Sequence, residues 1–273
     1  MKREGAPGPA TVLAPLEMEG QRVVVARRVP GKRKRPLVVV IPGLLSAPDA
    51  LLGWLVELAG AGMTAAGIEH TGVGRAAAAS DFAGALDRLV NRLAGVAVSV
   101  AEALDGRYGV DPQRWGLVGI SVGGWAALRA AERYDGREIA SGPRAVAALL
   151  CSPGWRRVPA RARAFFRPLG LDLPETAADT AVDPDRHPHL HPGDAGARGR
   201  RLAGRAVLLA AGGKDPLVPL QDVRALYEAI DRQRPQGDGP ERHQLLVYPG
   251  LGHEVSLPMR RRVVSWVGWM LGA

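Results

Sequence analysis

Residues 115–125 read Trp115-Gly116-Leu117-Val118-Gly119-Ile120-Ser121-Val122-Gly123-Gly124-Trp125, and this stretch decides the fold. A mostly apolar run enters Gly119-Ile120-Ser121-Val122-Gly123, and a helix-compatible segment from Trp125 to Arg133 leaves it. The pattern is a strand, a tight turn and a helix, with Gly-x-Ser-x-Gly at the turn. A serine on such a strained turn presents its hydroxyl clear of the carboxyl end of a sheet. Side chains at the flanking positions would strike the neighbouring strand and helix, so both are glycine. The Val122 N–H lies at a helix start, where backbone donors and the dipole favour a developing oxyanion. In a chain with 35 glycines such a match arises easily by chance. Its strand–turn–helix setting is what gives it weight.

Outward from the turn, strand and helix patterns alternate. Leu37 to Ile41 is continuously apolar and suits a parallel strand buried on both faces. Pro42-Gly43-Leu44-Leu45-Ser46 ends it, and Ala50 to Ala59 has leucines at helical spacing. Gln21 to Arg27 predicts an edge strand with Thr11 to Leu16 as its partner, and Thr64 to Ile68 a further strand. Phe82 to Tyr108 predicts one long helix ending near Gly106 and Gly109. Downstream, strands are expected at Ala145–Leu150, Ala206–Ala210 and His243–Tyr248, and helices at Leu220–Arg232 and Pro258–Leu271. This alternation implies an α/β architecture, a mostly parallel sheet covered by helices on both faces. Residues 1–10 read as a disordered tail, and 11–273 as a single domain. Within it, 152–202 is rich in proline, arginine and glycine and reads as a lid-like insertion over the strand ends. There Arg156, Arg157, Arg161, Arg163 and Arg167 surround Phe165 and Phe166. We read these as a solvated helix face, the alternative being a basic lid over an anionic substrate.

Composition excludes several classes. The net charge of +9 arises from 36 Lys+Arg against 27 Asp+Glu, but the arginines are scattered and aromatics are only 5%. No nucleic-acid partner is therefore expected. The four basic residues Lys32 to Arg35 lie between turn residues and read as a solvated loop. Glu69 to Arg75 lacks the full Gly-x-Gly-x-x-Gly of a phosphate cradle. His187-Pro188-His189-Leu190-His191 has no helical His-x-x-x-His spacing and no cysteine partner, so neither a metal nor a cofactor is expected. The single cysteine, Cys151, ends an apolar run and reads as buried in a reducing, cytoplasmic setting. The apolar run at Val263–Leu271 is about half the length of a membrane span.

A serine hydroxyl is a weak nucleophile at neutral pH and requires a base within reach and a group that orients the base. Histidine suits the first role and aspartate the second. Ser121, Asp215 and His253 each fall just after a predicted strand. In a parallel sheet such loops share one edge, so the three can meet. The competitors fit less well. Asp222 lies inside a helix, Asp238 and His243 fall at the opposite edge, and His70 precedes the serine. Ser46 and Ser152 lack a glycine-flanked turn.

Ile41-Pro42-Gly43-Leu44, the serine turn, Gly213-Lys214-Asp215-Pro216-Leu217-Val218-Pro219 and Gly252-His253 together resemble the α/β-hydrolase superfamily. The likeness is greatest to its serine-aminopeptidase, dienelactone-hydrolase and acylglycerol-lipase-like branch. The resemblance spans roughly 20–272 and implies a sheet of about eight strands, Ser121 as nucleophile, His253 as base and Asp215 as orienting acid. It also implies the backbone N–H groups of Leu44 and Val122 as oxyanion donors. Many relatives have His-Gly at Pro42-Gly43 and Asp at Glu69. The implied activity is hydrolysis of a small-molecule carboxylic ester. Thioester or peptide cleavage on the same residues is the alternative, as is a catalytically silent fold used for binding. Acyl group, leaving group and oligomeric state are not encoded in these motifs.

Overall fold

The computed structural model describes residues 10–18, 20–29, 34–44, 46, 48–69, 81–133, 142–151, 154–155, 159, 161–169, 173, 181–188 and 195–273. The strands are β1 (Ala10–Met18), β2 (Gln21–Val29), β3 (Arg35–Ile41), β4 (Thr64–Glu69), β5 (Val110–Ile120), β6 (Ala145–Leu149), β7 (Ala206–Gly212) and β8 (His243–Tyr248). They form one eight-stranded sheet in the order β1-β2-β4-β3-β5-β6-β7-β8. β1 and β4 each pair antiparallel with β2, and every pairing from β4 across to β8 is parallel.

The described helices are α1 (Pro48–Gly60), α2 (Phe82–Ala103), α3 (Val122–Arg133), α4 (Ala162–Phe166), α5 (Ala195–Leu202), α6 (Leu220–Asp231) and α7 (Leu257–Leu271). Alternate strand residues divide the core in two. Leu37, Val39 and Ile41 join α2, α3 and α6 on one face. Val38 and Val40 join α1 and α7 on the other. A strand buried on both faces has no polar side to mark, which is why β3, β6 and β7 read as unbroken apolar runs.

Three expectations need correction. Gln21–Arg27 is not an edge strand: β2 lies between β1 and β4, and its Val23 to Ala26 run is buried. The edge belongs to β1, which is mostly exposed and contains Pro15, a residue that an edge strand tolerates and an interior ladder does not. The long helix stops at Ala103 rather than Tyr108. The chain then turns through left-handed backbone at Gly106, Tyr108 and Gly109, and β5 starts already at Val110. Ala10, placed at the end of the expected tail, begins β1; residues 1–9 lie outside the described residues. Among the described residues no helix is long and apolar enough to cross a membrane.

Glu132, near the end of α3, is buried together with Arg198 of α5, their side chains 3.0 Å apart. Arg129 at 3.0 Å and Arg201 at 3.7 Å complete the group around the same carboxylate. Burial lowers the Arg198 pKa to about 10, still charged at neutral pH. Glu132 is the carboxylate that these arginines share, so Glu132→Ala takes the counter-charge from the buried Arg198 and should cost about 3–5 kcal/mol, read as a fall in chemical-unfolding stability.

His243, which begins β8, is 1% exposed. Its Nε2 faces the Arg205 carbonyl at 3.0 Å. Burial lowers its pKa below the ordinary 6.5, against smaller opposing effects of that carbonyl and of Asp231. The folded state thus binds this proton less readily than the unfolded chain does. Stability from His243 is present above about pH 6.5 and is lost as pH falls below it. Subtracting the unfolding free energy of His243→Gln from that of the wild type at each pH should expose this loss on acidification. A difference independent of pH would refute it.

Candidate active site

Ser121 sits between β5 and α3 with φ of 54°, a left-handed conformation costing a non-glycine residue on the order of 1–3 kcal/mol. The surroundings over-determine it. A Cβ on Gly119 would fall 2.2 Å from the Gly123 carbonyl oxygen, and one on Gly123 would fall 2.1 Å from the Ile41 oxygen. Both atoms are backbone, so neither can move aside cheaply. The Ser121 N–H donates to the Leu149 carbonyl at 2.8 Å, and its own carbonyl accepts from Gly124 at 2.8 Å. The elbow is therefore bolted to β6 on one side and to its own helix on the other.

Asp215 follows β7 and His253 follows β8. The two loops are joined by backbone hydrogen bonds, Gly213 N–H to the Tyr248 carbonyl and Lys214 N–H to the Leu251 carbonyl, both 2.9 Å. That joint brings His253 Nδ1 to 2.7 Å from Asp215 Oδ2. His253 Nε2 lies 2.9 Å from Ser121 Oγ. The other aspartate oxygen, Oδ1, accepts the Leu217 N–H at 2.8 Å and the Val218 N–H at 3.0 Å. The Asp215 side chain is 1% exposed and that of His253 10%. A nearly buried carboxylate with backbone donors on one oxygen and an imidazole on the other has a single orientation available to it.

Val122 is the first residue of α3, so its N–H belongs to the first helical turn, where amides lack intrahelical acceptors. Across from it, Gly43 packs against the elbow: an added Cβ would lie 3.3 Å from both Ser121 Cβ and the Ile120 oxygen. The Gly43 N–H donates to Ser46 Oγ at 2.9 Å, and the Ser46 N–H to the Gly43 carbonyl at 3.2 Å. This small turn engages the Gly43 amide and sits directly against the serine elbow. Ser46 thus has a role that sequence reasoning gave it no credit for, having weighed it only as a rival nucleophile. Its hydroxyl three residues after a glycine amide is the signal that was available.

The 152–202 segment reaches this edge. Phe165 lies edge-on to the His253 ring, centroids 5.4 Å apart at 84°. Phe166 is buried beside Phe82 at 6.4 Å. The solvated-face reading fails for these two rings: α4 is amphipathic, with Arg161 and Arg167 exposed. Arg156 and Arg157 lie outside the described residues. Trp155 Nε1 donates to the Leu217 carbonyl at 3.1 Å and stacks edge-on with Trp125, centroids 4.9 Å apart. The segment is thereby tied to the Asp215 loop and the elbow helix together.

The remaining sequence candidates fall away from this cluster. His243 is at the amino edge, as expected, and Asp238 pairs with Arg242 at 3.2 Å. Asp222 is in the first turn of α6. Cys151 is buried, which pushes its thiol up to about 12, an unreactive state. His70, Ser152, His189 and His191 lie outside the described residues, as do the Lys32–Arg33 and 70–75 loop positions.

No protein-family model matches the chain, and no curated protein matches it in sequence. Solved structures do. The protein TT1662 from Thermus thermophilus superposes with a TM-score of 0.70 at 21% identity, over 97% of this chain and 99% of that one. Carboxyl esterase 2 from the mycorrhizal fungus Tuber melanosporum gives 0.61 at 15% identity, over 98% and 87%. The chain has the α/β-hydrolase fold. A puromycin-hydrolysing peptidase from Mycobacterium tuberculosis gives 0.65 at 18% identity, over 97% of this chain and 40% of that one. At these identities the likeness is one of fold alone. Within the hydrolase fold, Gly123 marks where the elbow helix meets β3. Gly123→Ala should lower unfolding stability by roughly 1–3 kcal/mol. Gly250→Ala, with open space around the new methyl, should stay within about 0.5 kcal/mol of wild type.

Proposed function

We propose that this protein is a serine hydrolase that cleaves a small-molecule carboxylic ester through an acyl-serine intermediate on Ser121. The observation that carries the reading is the unbroken hydrogen-bonded line from Asp215 through His253 to Ser121, at 2.7 and 2.9 Å. In the first half-reaction Ser121 Oγ attacks the acyl carbonyl while His253 Nε2 takes its proton. The carbonyl electrons collect on oxygen, facing the N–H groups of Leu44 and Val122. Collapse expels the alkoxide, which receives the proton from His253. Water then repeats the sequence on the acyl-serine and releases the carboxylic acid. Asp215 keeps the Nδ1–H tautomer and stabilises the transient imidazolium. Phe165 against the ring limits its swing and excludes water from that flank. The single domain over 11–273, with 152–202 as its lid-like cover, belongs to the same reading, as does a reducing, cytoplasmic setting without a nucleic-acid partner.

Esters lead because an alkoxide leaves with little protonation, whereas an amine must be protonated as it departs. Thioester and peptide cleavage use the same residues, and peptidases occur among the proteins of similar fold. A silent binding fold accounts less well for three functional groups in hydrogen-bonded order.

With p-nitrophenyl acetate as substrate, Ser121→Ala should lower kcat on the order of a millionfold. Asp215→Asn, which offers His253 the wrong tautomeric partner, should lower it by about ten-thousandfold. Retention of wild-type turnover by Ser121→Ala would remove the serine from the mechanism.

A further inference from the structure

We infer that the apolar arm of the substrate is read by a pocket between α1 and α7, on the sheet face away from the 152–202 segment. A cavity of about 310 Å³ lies between the amino ends of these two helices. Its lining draws on the serine turn, the Gly43–Leu44 turn and the loop that carries His253. Ile120 immediately precedes Ser121, Pro42 and Ser46 bracket the Gly43–Leu44 turn, and Val255 is two residues beyond His253. The rest of the wall is Ala50, Leu51 and Trp54 from α1 and Leu257 from α7. A group bonded to the reacting carbon thus has a cavity whose wall is continuous with the loops holding nucleophile, base and oxyanion donors.

The chemistry of the wall names the ligand class. Ser46 Oγ accepts the Gly43 amide at 2.9 Å, and Ser256 Oγ accepts the Met259 amide at 3.3 Å as the cap of α7. Arg260, the one charged lining residue, is paired with Glu57 at 2.6 Å. Its buried Nε–H is without a partner. Each of these three polar residues already has one partner in the local structure, and the seven other lining residues are apolar or aromatic. A carboxylate arm would have to compete with Glu57 for Arg260. An uncharged alkyl chain meets no such competitor. At roughly 30 Å³ per water-sized group, and with gaps left by imperfect packing, about 310 Å³ accommodates an arm of about four to eight carbons.

The inference rests on the serine-hydrolase reading, but its test separates the two. Octan-1-ol titrated by calorimetry into Ser121→Ala protein reports the pocket without turnover. Saturable binding is expected, and it should be lost when Ala50→Trp is added. Ala50 is exposed on the first turn of α1, where a larger side chain fits without disturbing the core. In protein with Ser121 intact, kcat/KM should rise about fourfold per added methylene up to roughly hexanoate, as each one leaves water. Ala50→Trp should collapse the hexanoate-to-acetate ratio on the order of a hundredfold. Leu257→Ala, which widens the pocket, should move the optimum to longer chains. Running p-nitrophenyl esters of varied acyl length beside acetates of varied alcohol length shows which side of the ester supplies the arm. A response of either octanol binding or chain-length selectivity to Ala50→Trp upholds the pocket; a response of neither overturns it. Octanol bound through the pocket by a wild type that hydrolyses no ester would keep the pocket and overturn the ester reading. Octanol binding and selectivity both indifferent to Ala50→Trp, in a protein whose acetate hydrolysis disappears with Ser121→Ala, would do the reverse.

Discussion

The approach of the α3 amino end to the carboxyl end of β3, with backbone against backbone at Gly123 and Ile41, is the contact on which the other features depend. It brings the first turn of the helix under Ser121 and forces the serine into left-handed backbone. A non-glycine residue does not stay there unless its neighbours leave it no alternative. The same helix contributes Trp125 to the packing beneath the site and Glu132 to the buried ion group. Anything that lifts α3 therefore displaces the hydroxyl, the Val122 amide and the anchor of the 152–202 segment together.

Asp215 and His253 are positioned differently, by loops rather than by a helix. β7 and β8 are parallel neighbours, so the loops leaving them start side by side. Backbone hydrogen bonds from Gly213 and Lys214 to the second loop join them. Asp215 is then gripped by two amides of its own loop, and it orients His253 by a charge-assisted hydrogen bond in a nearly buried setting. In such a setting the interaction is stronger than it would be in water, and water has little access to compete with it.

Two surfaces meet the serine edge. Above it, Phe165 and Trp155 connect the 152–202 segment to His253 and to the Leu217 carbonyl, so that segment packs on His253 and on the loop that holds Asp215. To the side, the α1–α7 pocket borders the serine turn and the Gly43–Leu44 turn with hydrocarbon. This division assigns orientation and water exclusion to the aromatic cover, and recognition of an alkyl arm to the helix pair.

The order of elements, the doubly buried strands, the Gly-x-Ser-x-Gly turn and the three residues at strand ends were legible from sequence alone. The reason is that they are local. Apolar runs, turn residues and chain order are properties of neighbouring positions, and a parallel sheet aligns the ends of its strands automatically. Properties that depend on residues far apart in sequence were not legible. Whether β2 lay at the edge depended on where β1 paired, and only Pro15 hinted at it. The inward face of α4 depended on His253, some ninety positions downstream, and Arg-rich flanks masked it. Ser46 acts through a hydrogen bond to a turn that does nothing until it is packed against Ser121. The α1–α7 pocket is bounded by residues from 42 to 260, and no periodicity in the chain announces it. Sequence determined which groups could do the chemistry; only the tertiary structure decided how close they come and what surrounds them, because distance and burial belong to the packed molecule and not to any segment of it.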